Sequence, residues 1–358
     1  MVTANLQRSL AVPPSIRASP SPIASGAAVV QEGNGRDLES AEQLVLDLCD
    51  PALREHALLV ISKKKEIFQD ALAPLLWHSF GTIAALLQGG DCRGKMEEDE
   101  DKGAAAGGWA PSLRRGEEAA AAQEAAREIV SIYPALDPPT LSPGASNRAC
   151  NALALFQCIA SHPKTRMLFL NANIPIFMYP FMITKTNTRP LEHLRLASLG
   201  VIGALVKTND PGVVEFLLRT EIIPPCLFCM ENGHELSKTV ATFIVQRIIS
   251  DDLGLRYMCT NAERLLAVVQ ILAQMRDPAK LVKHVIRCFH GLSADARACA
   301  ALQIILPDVL KDGMVDTYLV DDLATRRCLQ QLLHNVKVGG VGGAPQPGLD
   351  HMMGILTI

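Results

Sequence analysis

The residues with the clearest potential for chemistry are Cys226 and Cys229, a Cys-x-x-Cys pair followed by His234. Such a pair can bind zinc or cycle between thiol and disulfide. A structural zinc site needs four ligands, and no second pair stands at ligand spacing. The pair lies in an apolar segment that begins with prolines, and most of the 10 cysteines occupy apolar helical segments. We therefore interpret the cysteines as buried free thiols and predict no metal and no cofactor.

The sequence contains none of the short motifs that position catalytic groups. It has no phosphate-binding loop, no Gly-x-Ser-x-Gly, no His-Glu-x-x-His and no dinucleotide-binding fingerprint. The paired acids at 251–252 and 321–322 each precede an apolar helical run, which is the position of helix caps. We predict that the chain is not an enzyme. A hydrolase within a helical fold is the alternative, and turnover of polyadenylated RNA would reveal it.

Basic residues in the C-terminal half are the candidates for binding a polyanion, namely Arg276, Lys280, Lys283, Arg287 and Arg297. Three of them follow the i, i+3, i+7 spacing that places side chains on one face of a helix. The nearby acids are Asp277 and Asp295, and few aromatic residues lie among the charges. We interpret this set as a solvated helix face, with weak binding of single-stranded nucleic acid as the open alternative.

The composition is typical of a folded helical protein. Of the 358 residues, 49% are hydrophobic and 20% are charged, which is enough to bury a core. Aromatic residues make up only 4%, which argues against a β-sandwich or barrel. The formal net charge of −3 excludes binding to nucleic acid through bulk charge alone. No stretch reaches the ~18 apolar residues of a membrane span, so we predict no membrane partner.

Apolar residues recur with the period of an α-helix through most of the chain. Ser40 predicts an N-cap, Pro51 the start of a second helix and Pro74 the start of a third. Asn209-Asp210-Pro211 predicts a cap with a proline in the first turn, and Gly233 predicts a helix end. The later predicted helices span 147–161, 163–172, 190–207, 211–220, 224–232, 234–250, 261–275, 278–291, 296–305 and 321–336.

A weak internal repeat indicates how these helices are organised. Pro163 and Pro211 each precede an apolar pair and then an Ile-Pro step, and the segment at 253–257 echoes 212–216. Repeats of roughly 40–47 residues with two or three helices are typical of HEAT and armadillo proteins. The predicted fold class is therefore all-α, an armadillo/HEAT-like α-solenoid wound as a right-handed superhelix. A helical bundle without repeats is the alternative.

Composition divides the chain into a domain, an insert and two tails. Residues 1–36 are rich in Ala, Ser and Pro and predict a disordered tail, with an organellar transit peptide as the alternative. Residues 37–337 form the predicted armadillo domain. It is interrupted by 89–127, an acidic and Gly/Ala-rich stretch of low complexity. Residues 338–358 predict a flexible tail, because 338–349 is rich in Gly and Pro.

Four segments resemble a known family. They read LAPLLWHSFGTIAALLQ at 72–88, NRACNALALFQCIASHP at 147–163, RLASLGVIGALVKTND at 195–210 and ELSKTVATFIVQRI at 235–248. These resemble the "required for cell differentiation" family, the armadillo-repeat subunit of the CCR–NOT deadenylase complex. The resemblance covers about 40–88 and 128–336. It implies an all-helical armadillo domain and a non-catalytic adaptor role in mRNA decay.

The resemblance implies a surface for the large scaffold subunit of that complex, formed by positions matching His78, Phe80, Ala84 and Val130. In the family, the helix ending ALLQ runs directly into EIV, whereas here 89–127 intervenes. A paralogue-specific loop and a gene-model error both explain the insert. Closing a loop of about 39 residues costs roughly 3 kcal/mol plus a constant, so we predict weakened scaffold binding.

The resemblance also implies a peptide groove at His193, Gly200 and Val240 that receives short helices of mRNA-decay regulators. His193 replaces an aromatic residue expected there. Tight packing against a neighbouring helix is the alternative explanation of the helical glycines. The family's pocket for tryptophan-containing motifs implies a role for Arg264, although Ala262 stands where an aromatic residue is expected nearby.

The predicted function is an adaptor of the CCR–NOT complex in the cytoplasm and nucleus. Its partners are the scaffold subunit and short helical or tryptophan-containing motifs of regulators, and a homodimer stays open. An armadillo protein that binds single-stranded nucleic acid, or a transcriptional cofactor, is the alternative. A nuclear-transport receptor is rejected, because such receptors use ladders of Trp and Asn and this chain has only 2 Trp.

Overall fold

The structure is a computed structural model, and it describes residues 40–50, 52–79, 130–137, 139–275, 279–312 and 314–339. The regular elements in these ranges are α-helices and short 3-10 helices, with no β-strand among them. The α-helices are α1 (40–47), α2 (Arg54–His78), α3 (Pro143–Ser161), α4 (Pro163–Asn171), α5 (Tyr179–Met182), α6 (Arg189–Val206), α7 (Pro211–Arg219), α8 (Ile223–Asn232), α9 (Glu235–Ile249), α10 (Asp252–Thr260), α11 (Ala262–Gln274), α12 (Ala279–Leu292), α13 (Ala296–Ile305), α14 (Asp308–Lys311) and α15 (Leu323–Gly339).

Long helices stack in chain order to form a ladder through the molecule. The packed pairs are α2 with α3, α3 with α6, α6 with α9, α9 with α12, and α12 with α15. From α3 onward the ladder helices begin roughly 45 residues apart, which is the period of an armadillo repeat. Shorter helices fill the sequence between successive rungs. The predicted all-α, armadillo-like solenoid is confirmed.

Local capping explains where many of these helices begin. Asp210 accepts a hydrogen bond from the backbone N–H of Gly212 at 3.0 Å, and Pro211 follows at a position that needs no donor. Asp251 and Asp295 cap α10 and α13 in the same way. Short polar side chains therefore fix these starts without help from the rest of the fold, and the predicted caps at 210, 251 and 322 are confirmed.

One continuous core runs along the ladder. It is made mainly of Leu, Ile, Val and Phe side chains that are removed from water between successive helices. Phe156 of α3 packs on Phe169 of α4, with ring centroids 5.7 Å apart, and both are fully buried. Burying an apolar side chain of this size stabilises the fold by about 2–3 kcal/mol. Each repeat depends on its neighbours for this burial, as expected in a solenoid.

The predicted helix start at Pro74 was wrong, whereas Pro51 lies outside the described residues and the helix predicted there is described from Arg54. A single helix, α2, runs from Arg54 to His78 with Pro74 inside it. An internal proline loses one backbone hydrogen bond and costs about 3 kcal/mol. Leu72 and Leu76, on either side of the proline, are both fully buried. We infer that this burial against the neighbouring helices offsets the cost of the proline and keeps the helix continuous.

The repeat found in the sequence corresponds to the first helix of successive repeats. Pro163 and Pro211 are the first residues of α4 and α7. The echo at 253–257 lies in α10, a helix that the predicted set omitted. Gly233 follows the end of α8 as predicted. The same chain positions therefore recur in the same structural role, which is why their residue types are similar.

Several predictions concern residues outside the described ranges. These are the N-terminal tail 1–36, the insert 89–127 and nearly all of the C-terminal tail 338–358; α15 continues to Gly339. The scaffold-surface positions Phe80 and Ala84, and the basic residue Arg276, lie outside them as well. In the described part of the chain, no helix is both long and apolar enough to cross a membrane.

Candidate protein-binding surface

Helix α6 lies at the centre of the ladder and carries two of the predicted groove residues. Nearly every residue from Leu191 to Val206 is buried, because α3 and α9 flank the helix and shorter helices cover a third side. The more accessible positions include His193, which is half-buried, and Ala197 and Ala204, which are each 8% exposed. Helical spacing places Gly200 on the same line. We call this line the α6 stripe.

The α6 stripe is shallow, because small side chains occupy it beyond His193. Burial lowers the pKa of His193 first, and the charge of Arg189 lowers it further, so its imidazole is neutral at pH 7. A neutral ring beside alanine and glycine positions forms an apolar floor. Such a floor could receive the apolar face of a helix.

Val240, the third predicted groove residue, occupies a different environment. Its side chain is only 2% exposed, and its Cγ1 atom lies 3.7 Å from the point where a Cβ atom would stand on Gly203. Val240 thus packs between α9 and α6. The structure places His193 and Gly200 on one stripe and Val240 at the helix interface beside it. A Cβ atom on residue 203 would make ordinary van der Waals contact with Val240, so the packing at this interface admits alanine as well as glycine.

A buried ion pair fixes the beginning of α6. Arg195 is fully buried, and its guanidinium contacts the carboxylate of Glu192 one turn earlier. The guanidinium also donates to the carbonyl oxygen of Met182 at 3.2 Å, to Oδ1 of Asn187 at 2.8 Å and to Oγ1 of Thr184 at 3.0 Å. Arg195 therefore ties α6 to the segment that follows α5.

The same carboxylate joins α6 to the next rung of the ladder. Oε1 of Glu192 accepts hydrogen bonds from the hydroxyl of Ser237 at 2.6 Å and from the backbone N–H of His234 at 3.0 Å. Both donors lie at the start of α9. With Arg195, Glu192 forms a network of fully partnered polar groups that sets the position of α9 against α6. Sequence reasoning missed this network, because its members are distributed over three segments.

A second polar contact joins α9 to α12. Nδ1 of His284 lies 2.7 Å from Oε1 of Gln246, and the imidazole meets the ring of Phe243 edge to face at 5.6 Å. Burial, assisted by the charges of Arg287 and Lys283, lowers the pKa of His284 to about 4. The imidazole is therefore neutral at physiological pH, and its N–H is the donor to Gln246.

The structure corrects the environment predicted for the basic set. Lys283 and Arg287 both face Asp322, with Nζ and Nη2 at 3.5 and 3.6 Å from Oδ2, whereas only Asp277 and Asp295 had been considered. Burial raises the pKa of Asp322, but hydrogen bonds from Thr325 and the two positive charges lower it overall. Asp322 belongs to the next repeat, so the residues near Lys283 and Arg287 in the sequence gave no indication of this ion pair. This pairing reduces the charge left for a phosphate backbone.

Two further members of the basic set lie near the starts of described helices. Arg297 lies exposed at the start of α13, where its backbone N–H donates to the cap residue Asp295 at 2.9 Å. Lys280 lies in the first turn of α12. The three residues predicted to share a helix face do lie on α12. The nucleic-acid interpretation stays a prediction, with a weaker electrostatic basis.

Arg264 lies at the start of α11 against Tyr257 of α10. Its guanidinium carbon is 3.6 Å from the centroid of the tyrosine ring, and Nη1 donates to the tyrosine carbonyl oxygen. A guanidinium stacked on an aromatic ring forms a flat, partly apolar surface. Tyr257 was absent from the predicted set, and it supplies an aromatic ring directly against Arg264.

The described part of the predicted scaffold surface is the end of α2. His78 is exposed as the last residue of that helix, while Trp77 is half-buried against the core. The helix stops at Ser79, whose backbone N–H donates to the carbonyl oxygen of Leu75 at 3.0 Å. Val130 begins a 3-10 helix that ends at Ala135. The contact of these positions with a scaffold stays a prediction.

The Cys-x-x-Cys pair lies in the core. Cys226 and Cys229 are fully buried in α8, and the thiol of Cys229 donates to the carbonyl oxygen of Met182 at 3.2 Å. Burial raises the pKa of Cys229 to about 12 and that of Cys226 well above its usual value. A metal ligand or a redox thiol must ionise, which these thiols resist. Among described residues, no group of His, Cys, Asp and Glu has the arrangement of a metal site.

Comparison with known proteins decides the family. The family model described as "Cell differentiation family, Rcd1-like" matches residues 44–89 and 126–336. The chain belongs to this family. The Schizosaccharomyces pombe "Cell differentiation protein rcd1" is 47% identical over 298 residues, covering 82% of this chain and 91% of that protein. The Saccharomyces cerevisiae "Protein CAF40" is 44% identical over 287 residues, covering 78% of this chain and 66% of that protein.

The bounds of the family match agree with the insert predicted from sequence, and the similar solved structure agrees with the armadillo-like fold. The family match omits residues 90–125, which fall inside the predicted insert 89–127. Among solved structures, a designed armadillo repeat protein in complex with the peptide (KR)4 superimposes with a TM-score of 0.50 at 11% identity. The superposition covers 82% of this chain and 98% of that one. At this identity the likeness concerns the fold alone.

Proposed function

We propose that this Rcd1-like protein is a non-catalytic adaptor subunit of the CCR–NOT deadenylase complex, acting in the cytoplasm and nucleus. The observation that supports the proposal most is the family match, which extends over the ladder from α2 to α15. Identity of 44–47% to two relatives over most of the chain supports a shared role. In this role the protein joins regulators of mRNA decay to the subunit that carries the nucleases.

The proposed scaffold contact is centred on the end of α2. His78 presents an exposed imidazole there, and the positions at Phe80, Ala84 and Val130 complete the proposed surface in sequence. An alanine such as Ala84 lets a partner approach closely, so a large side chain at that position would clash. Residues 89–127 enter the chain between these positions, which supports a weakened rather than a lost contact.

The proposed site for regulators is the α6 stripe. His193, Ala197 and Gly200 offer an apolar floor about two turns long, which matches the spacing of anchors on an amphipathic helix. The Arg195–Glu192 network stabilises the position of this floor, because Glu192 joins α6 to the start of α9. A rigid floor reduces the ordering cost of binding, so a short helix can bind despite a small interface.

Co-expression with the scaffold subunit tests the first contact. His78→Asp places a charge in the proposed interface and is expected to reduce recovery of the complex at least tenfold. His334→Asp, a change of the same kind at an exposed position on α15, is the matched control and should leave recovery unchanged. Equal loss in both variants, or in neither, would contradict the proposed surface. Deleting 89–127 is expected to strengthen the complex.

Titration with a helical regulator peptide tests the second contact. Gly200→Arg would fill the α6 stripe and should abolish binding, and Ala197→Asp should weaken it strongly. Thermal unfolding of each variant separates lost binding from lost folding. If Ala197→Asp binds peptide as tightly as the unmodified chain while scaffold binding also persists, regulators use another surface.

A further inference from the structure

A line of half-buried side chains on α9 runs beside the α6 stripe. Its members recur at helical spacing and are Leu236, Thr239, Phe243 and Arg247. Val240, the neighbour of Thr239, packs on Gly203, and Gly203 adjoins the α6 stripe at Ala204. The accessible sides of α6 and α9 therefore lie on the same surface of the ladder.

The last member of this line, Arg247, reaches the far end of the α6 stripe. Its Nε donates to the carbonyl oxygen of Val206 at 3.4 Å. Val206 lies two residues beyond Ala204, the last position of the stripe. From His193 to Ala204 the stripe is about 16 Å long, or about three helical turns. A helix bound along it therefore ends beside the guanidinium of Arg247.

The charge of Arg247 is not balanced within the described part of the fold. Burial lowers the pKa of its guanidinium, which shows that the group is partly removed from water. No carboxylate of a described residue forms an ion pair with it, and its hydrogen bond to Val206 is long. Three other guanidinium groups each contact a carboxylate, in the pairs Arg166–Asp210, Arg195–Glu192 and Arg287–Asp322. A cation that has lost water without gaining a counter-ion favours a ligand that supplies one.

The groups around Arg247 suit a carboxylate on a peptide better than a phosphate backbone. Phe243 lies one turn before it, and the stripe beside it consists of alanine and glycine positions beyond His193. The next cations, Lys283 and Arg287, already face Asp322. A single unpaired guanidinium at the edge of an apolar floor can bind one carboxylate with two parallel hydrogen bonds. A nucleic acid instead requires several cations along its length.

We propose that the regulator helix on the α6 stripe carries a glutamate or aspartate that pairs with Arg247. This inference rests on the proposed function and specifies its ligand. The ligand is an amphipathic helix with apolar side chains at i, i+4 and i+7 and an acid about one turn beyond them. The stripe buries the apolar face, and Arg247 selects against helices whose end is neutral or basic.

Selection from a library of displayed peptides on the full chain tests the charge preference. The library is an alanine-based helix with leucines at i, i+4 and i+7 and one randomised position in the turn at each end. The unmodified chain should recover acids at one end at least about tenfold more often than bases. Arg247→Glu should reverse this preference. Arg219→Glu, the same change at an exposed arginine of α7, is the matched control and should leave the preference for acids unchanged.

A charge exchange with one selected peptide separates lost binding from lost folding. Arg247→Glu should weaken binding of the peptide with glutamate at least about tenfold, and replacing that glutamate by lysine should restore it. Restoration requires a folded variant, so a misfolded chain cannot imitate the expected result. An absent preference for acids, or a preference that persists in Arg247→Glu, overturns the inference.

Two further measurements identify what has failed if the preference is absent. Peptides that still bind Gly200→Arg do not use the α6 stripe, and this result contradicts both the regulator site of the proposed function and the present inference. Peptides that require Gly200 but ignore Arg247→Glu contradict the inference alone. Binding of single-stranded oligoadenylate that falls at least about tenfold in Arg247→Glu would assign Arg247 to phosphate instead, which also overturns the inference.

Discussion

Replacing Arg195 by methionine removes the positive half of a fully buried ion pair while keeping an apolar stem of similar length. Glu192 would then keep its bonds to the start of α9 but lose its counter-charge. Leaving one charge of a buried pair uncompensated costs about 3–5 kcal/mol. For a domain of this size, about 2–4 °C is lost per kcal/mol, so the melting temperature should fall by about 6–20 °C.

A second Arg–Glu pair supplies the matched control. Arg148 and Glu55 are 3.9 Å apart with side chains 49% and 73% exposed. Surface pairs contribute about 0–1 kcal/mol, so Arg148→Met should lower the melting temperature by less than about 4 °C. Differential scanning calorimetry measures both variants under the same conditions. If Arg195→Met loses no more stability than Arg148→Met, the buried network does not hold α6 and α9 together.

The double variant Arg195→Met with Glu192→Gln separates charge from hydrogen bonding. Glutamine keeps an acceptor for Ser237 and carries no charge, so the double variant should be more stable than Arg195→Met by about 2 kcal/mol. No recovery at all would mean that lost packing, rather than the orphaned charge, explains the destabilisation.

Further expectations concern glycines, protonation and thiols. Gly254→Ala should destabilise by at least about 3 kcal/mol because its Cβ would overlap the Ile248 carbonyl oxygen, whereas Gly203→Ala should stabilise by about 0.5–1 kcal/mol; urea unfolding compares them. The folded-state pKa of His284, about 4, lies below its unfolded value, so its contribution is lost as pH falls from about 6.5 to 4. Between pH 7 and 4.5 the His284→Gln variant should therefore lose about 2–2.5 kcal/mol less stability than the unmodified chain, and equal losses would contradict this. At pH 8, Cys229 should resist alkylation until urea unfolds the protein, as mass spectrometry would show.

Features that depend on neighbouring residues in the chain could be predicted from sequence. Asp210 caps α7 through an amide two residues away, and Pro211 suits the first turn whatever lies around it. The apolar period predicted most of the later helices to within a few residues, because a helix must bury one face. The family resemblance, now confirmed, directed attention to α6.

Pro74 and Asp322 show where such reasoning fails. Locally, a proline predicts a helix start, but the burial of Leu72 and Leu76 keeps α2 continuous through it. Asp322 belongs to the repeat that follows Lys283 and Arg287, so its carboxylate contacts their side chains only when the helices have packed together. Part of the candidate site could likewise be predicted from sequence, and part could not. The α6 stripe follows from helical spacing, whereas the position of Val240 behind it required the packed pair of helices.

The order of residues alone determined that this chain forms helices, where many of them begin, and which family it belongs to, because caps, periodicity and motifs act over a few residues. The stacked repeats decided the rest. The packing of the repeats determines which charged side chains form ion pairs. It also brings the three segments of the Arg195–Glu192 network into contact, and it leaves a cavity between α11 and α13. Those outcomes depend on groups that lie about 30 to 45 residues apart in the chain, which only the packing of one repeat on the next brings into contact.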